Sequence, residues 1–94
     1  MTKLKTRPWD SAAYPKTEED VAEYLEAVFE IGDPALITHA LGIIARSKGM
    51  AKIAKKTGLG RESLYKALSK DGNPGFLTVL KVVQALGYKL RLAA

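Results

Sequence analysis

Ninety-four residues with no cysteine suffice for one domain with a modest core, and they exclude a disulfide scaffold or a thiolate metal site. No apolar run reaches membrane-spanning length, and the N-terminus MTKLKTRPWD lacks the apolar segment of a signal peptide, so a cytoplasmic protein is expected. The net charge of +5 conceals a division: residues 1–35 carry four bases against eight acids, or −4, whereas residues 36–94 carry eleven bases against Glu62 and Asp71 alone, or +9. A half that basic attracts a polyanion, either nucleic acid or an acidic membrane, although a solvated lysine-rich face has the same composition.

Residues 1–16 have neither helical nor strand periodicity and contain Pro8 and Pro15, yet they hold Leu4, Trp9 and Tyr14. They read as an arm that either folds back on its own domain or meets a partner, since exposed Trp and Tyr favour binding surfaces. Thr17-Glu18-Glu19-Asp20 has the form of a capping box, with acids at the positive end of the helix dipole. The helix it opens repeats Val21, Tyr24, Leu25, Val28 and Phe29 at three- and four-residue steps, leaves Glu23, Glu26 and Glu30 outside, and stops at Gly32. Asp33-Pro34 caps a second helix through Leu36, Ile37, Ala40, Leu41, Ile44 and Ala45 toward Gly49. This helix is apolar on most sides and should be central. Gly42 within it costs about 1 kcal/mol relative to alanine, which predicts a close-passing neighbour. His39, the only histidine, has no acid on its face and reads as a packed or rim residue, not a metal ligand or general base.

The stretch Met50–Ser69 reads as helix, tight turn, helix. Ile53, Ala54, Leu64, Ala67 and Leu68 can share one core, while Lys52, Lys55, Lys56, Arg61 and Lys66 stay outside. Gly58 suits a left-handed helix end, Leu59 plugs the angle between the helices, and Ala54 leaves room for them to cross. A small residue, a glycine four positions on, then apolar residues one and six positions later is the spacing of a DNA-binding helix-turn-helix; a generic helical hairpin is the alternative. The run Lys70-Asp71-Gly72-Asn73-Pro74-Gly75 forms a turn, and Phe76, Leu77, Val79, Leu80, Val82, Val83 and Leu86 make a fifth helix ended by Gly87. Tyr88-Lys89-Leu90-Arg91-Leu92 alternates apolar and basic residues and predicts a short strand needing an edge from another chain.

No nucleophile stands beside a base, and there are no paired acids or phosphate-cradling glycine loop, so a binding protein is expected, with no enzyme activity, cofactor, metal or small-molecule substrate. On a helix-turn-helix, the groove-facing residues would be Arg61, Glu62, Tyr65, Lys66 and Ser69. Arg61 can make a bidentate contact to guanine, Glu62 can accept from cytosine or orient Arg61, and Tyr65 can lie on a thymine methyl. Lys66 and Ser69 can read a base or hold a phosphate. Lys52, Lys55 and Lys56 suit the DNA backbone, and Gly75 and Phe76, at a helix start, offer amides to a phosphate oxygen.

Taken together, DPALITHALGIIARSKGM, IAKKTGLGRESLYKALS, GNPGF and TVLKVVQALG resemble the addiction-module antidote proteins, HigA-like antitoxins with a phage-repressor (XRE-type) helix-turn-helix, over about residues 9–92. The resemblance implies a type II toxin–antitoxin system, a RelE/ParE-like toxin partner, a homodimer, and repression of the shared promoter through a double-stranded operator. The expected architecture is an all-α five-helix bundle of that type over residues 17–94, with an N-terminal arm over 1–16 whose Trp9 and Tyr14 would hold the toxin, and a short C-terminal strand. A free-standing helix-turn-helix regulator without a toxin and a protein-interaction module that binds no DNA are the competing readings. Three positions depart from the family pattern: Gly60 replaces the usual serine cap of the recognition helix, Pro15 replaces leucine after Tyr14, and Ile43 replaces a common aspartate, which predicts one more buried contact.

Overall fold

The computed structural model describes residues 17–92. Among them the chain forms α1 (Glu18–Ile31), α2 (Pro34–Lys48), α3 (Met50–Thr57), α4 (Arg61–Ala67) and α5 (Phe76–Ala85), an all-helical arrangement without strands. The arm, with Trp9 and Tyr14, lies outside the described residues.

Each helix starts and stops where local chemistry directs. The Thr17 hydroxyl accepts from the Asp20 amide at 3.0 Å, and the Asp20 carboxylate accepts from the Thr17 amide at 3.4 Å, the reciprocal box expected of TEED. Asp33 caps α2 by accepting from the Ala35 amide at 3.1 Å. Between these caps, α1 ends at Gly32 in the left-handed region, at φ 78°. The predicted face of α1 is the one buried: Val21, Tyr24, Leu25 and Val28 lie in the core, Phe29 is half-buried, and Glu23, Glu26 and Glu30 face water.

α2 is the hub. Every residue from Ala40 to Ala45 is buried, Ile43 included, and the helix packs on α1, α3 and α5. The close neighbour expected at Gly42 is the end of α4: a Cβ on Gly42 would sit 2.6 Å from the Leu68 carbonyl oxygen. Alanine at Gly42 therefore sets a helix-propensity gain of about 1 kcal/mol against an overpacking cost of about 1–3 kcal/mol, and the obstacle is backbone, which yields little. Gly42→Ala should lower stability by up to about 2 kcal/mol, read as a lower urea midpoint with an unchanged m-value.

The predicted C-terminal strand is not formed. Tyr88–Leu92 carries no regular structure, because a strand needs an adjoining edge and a helical chain supplies none. Its first residue acts instead as an anchor. Tyr88 packs against the core, and its hydroxyl donates toward the Glu18 carboxylate at 3.2 Å and the Glu18 carbonyl at 3.4 Å. Lys48, at the end of α2, pairs with the same carboxylate. One carboxylate thus joins the start of α1, the end of α2 and the segment after α5.

The hydrogen bond and charge of Lys48 hold the Glu18 carboxyl below its ordinary range, with the Tyr88 hydroxyl adding to the shift. Burial, followed by the Glu18 hydrogen bond, pushes the Tyr88 phenol up. A carboxyl depressed in the folded state adds stability above its unfolded value, and that stability disappears as pH falls through the folded value. Glu18→Gln should accordingly lower the melting temperature slightly at neutral pH, and the gap to the parent protein should close below about pH 4. The effect is small because the carboxylate is solvent-exposed. Thermal melts of both proteins across the acid range give the comparison.

Candidate nucleic-acid interface

α3 and α4 are two short helices joined across residues 58–60, and their inner faces are apolar. Ile53, Ala54, Leu64 and Leu68 are buried, and Leu59 packs on the core from within the turn. Gly58 ends α3 at φ 76°, its amide donating to the Ala54 carbonyl at 2.9 Å, so the left-handed position expected of it is present. Thr57 was not anticipated from the sequence. Its buried hydroxyl donates to the Ala54 carbonyl at 3.1 Å and accepts from the Leu59 amide at 3.2 Å, bridging the helix end and the turn. The signal available was a threonine beside the glycine, since Ser and Thr side chains readily bond backbone groups at such ends.

With the inner faces committed, Lys52, Lys55 and Lys56 on α3 and Arg61, Glu62, Tyr65 and Lys66 on α4 are all exposed. Spacing places Arg61 with Tyr65, and Glu62 with Lys66, one helical turn apart on the outer surface of α4. No ion pair among the described residues engages these bases, so their charge projects into solvent. Glu62 sits in the first turn of α4, where its charge favours the helix dipole. Gly60 starts α4 with no side-chain cap, which agrees with the loss expected from a missing serine.

One expected site residue differs in setting, and two stand at a helix start as expected. α4 ends at Ala67, so Ser69 lies in the following turn, half-buried, with its hydroxyl donating to the Lys66 carbonyl at 2.8 Å. Its remaining capacity is as an acceptor. Gly75 begins α5 uncapped by any side chain, and the first amides of that helix lack intrahelical partners by construction. Phe76 and Leu77 beside them are 72% and 63% exposed, an apolar surface next to a polar helix start. His39 is exposed on α2, at the rim.

A family described as probable addiction module antidote protein matches residues 5–94. The chain belongs to that antidote family. A protein of Haemophilus influenzae (strain Rd), described as uncharacterized, is 42% identical over 86 residues, covering 92% of this chain and 89% of its own length. No solved structure matches.

Family membership gives the antidote a toxin as partner and a regulatory role. Its described surface is divided by charge. Glu23, Glu26 and Glu30 make the exposed face of α1 acidic, while the outer face of α3 and α4 carries five bases against the single acid Glu62. None of the antidote's described helices is long and apolar enough to cross a membrane.

Proposed function

We propose that this antidote neutralises a RelE/ParE-like toxin and, as a homodimer, represses its own promoter through α3 and α4 acting as a helix-turn-helix of the phage-repressor type. The carrying observation is the outer face of that pair: five exposed bases, unpaired among the described residues, on two helices whose inner faces bury Ile53, Ala54 and Leu64 in the core. In this reading α4 enters the major groove. Arg61, Glu62 and Tyr65 meet base edges, Lys66 and Ser69 stand at the groove's edge, and Lys52, Lys55 and Lys56 neutralise phosphates. The amides at Gly75 and Phe76 take a phosphate oxygen.

Two copies are required because seven residues of helix read only a few base pairs. The operator is then near-palindromic, with half-sites about 34 Å apart or a multiple of it. Exposed Phe76 and Leu77 offer apolar surface for the contact between copies. Trp9 and Tyr14 on the arm hold the toxin, in line with the taste of protein interfaces for aromatic anchors. The DNA reading is tested by mobility shifts with the promoter fragment over a range of salt. Retention that weakens steeply as salt rises supports it, and complexes indifferent to salt count against it. Sedimentation of the free protein tests the dimer, and a monomer at high micromolar concentration excludes it.

A further inference from the structure

A groove enclosing about 530 Å³ runs between α1 and the segment that follows α5. Its floor is apolar, made by Leu25 and Phe29 of α1 with Val83 of α5, and its outer wall is Leu90 and Leu92. The wall is fixed at its base by the bonds from Tyr88 to Glu18. The size falls within the about 300–1,000 Å³ of sites that bury drug-sized ligands, enough for aromatic side chains.

We propose that this groove seats the N-terminal arm of the same chain, with Trp9 as the anchor. Reach permits it. Thr17 stands at the head of α1, and at about 1.5 Å of rise per residue Phe29 lies about 18 Å along the helix. Eight extended residues span up to about 26 Å, so Trp9 reaches the floor beside Phe29 with slack to spare.

Charge favours the same path. α1 has no base in its last turn, where the negative end of its dipole meets exposed Glu26 and Glu30. An arm running antiparallel to α1 delivers Lys3, Lys5 and Arg7 to that end, because they precede Trp9 in the chain. Asp10, on the other side of Trp9, falls toward the wall that carries Lys89 and Arg91. A tether this short also holds the arm at an effective concentration in the millimolar range, above that of a second copy in dilute solution. The inference goes beyond the toxin and operator reading, since it concerns the free protein. It adds that the toxin must draw the same aromatics out of the groove.

Trp9 is the only tryptophan, so its fluorescence reports the seat directly. The full-length protein should emit to the blue of free tryptophan amide and resist acrylamide quenching, equally at low and high protein concentration. Phe29→Glu on the floor and Leu90→Glu on the exposed wall should each shift the emission red and raise quenching several-fold, with helical circular dichroism retained. Leu90→Glu keeps the test valid if the floor variant fails to fold. Emission typical of an exposed indole in the parent protein overturns the proposal, as does emission unchanged by both variants. A blue shift that grows with protein concentration assigns the groove to a second copy and likewise overturns it. Promoter binding by the same proteins is read separately, so a failed seat leaves the DNA reading to stand or fall alone.

Discussion

Arg61→Ala is expected to weaken binding to the cognate operator by about 1–3 kcal/mol and to relax base preference at one position in each half-site, the cost of losing a bidentate base contact. Lys55→Ala should behave differently, weakening all sequences alike and reducing the salt slope by about one. Both side chains are exposed, Arg61 at the first position of α4 and Lys55 in the last turn of α3, and neither supports the core. Surface changes of this kind usually alter stability by no more than about 0.5 kcal/mol, so a loss of DNA binding would not report unfolding. Mobility shifts on the operator and on a scrambled duplex, each at several salt concentrations, separate the two effects. Wild-type operator affinity in Arg61→Ala would remove Arg61 from base reading and pass that role to Tyr65, one turn along.

The helices were legible in the sequence because their signals are local. The Thr17–Asp20 box, the Asp33-Pro34 start and the glycines at 32 and 58 each fix a boundary by hydrogen bonding or by a left-handed backbone, and each appears where expected. Gly42 was informative for a related reason: a glycine in a buried helix marks close approach, and the Leu68 carbonyl is what approaches. The strand at 88–92 misled because alternation records only which side chains face apart, while a strand also requires a partner edge. Tyr88 shows the competing demand, its ring on the core and its hydroxyl on Glu18, 70 residues away in sequence. That clamp and the groove beside it depend on three distant segments meeting, which no local spacing encodes. Within the candidate interface, the exposed bases were readable from helical periodicity. The end of α4 at Ala67 was not, since the turn at 69–72 folds tightly onto the helix end: a Cβ on Gly72 would stand 2.0 Å from the Ala67 carbonyl oxygen.

Removing residues 1–16 is expected to abolish toxin neutralisation while leaving operator binding within a few-fold. The two proposed functions should separate because the charges do: the basic half begins after residue 35, and the arm contributes none of the exposed bases on α3 and α4. Trp9 and Tyr14 each bring about 150–250 Å² of surface that a partner can bury. Ordering such a segment on a partner costs about 2–5 kcal/mol, which two well-seated aromatic anchors can offset. A seat on the antidote's own body adds to the toxin's task, because apparent affinity falls with the fraction of arm free to bind. Leu90→Glu should therefore tighten toxin binding while the deletion removes it, opposite outcomes from two changes that both empty the groove. Co-expression with the toxin gives the growth readout, and a gel shift with the promoter fragment gives the other. If the truncated protein still rescues growth, the toxin is held by the folded body, and the exposed acids Glu23, Glu26 and Glu30 of α1 become the surface to change next.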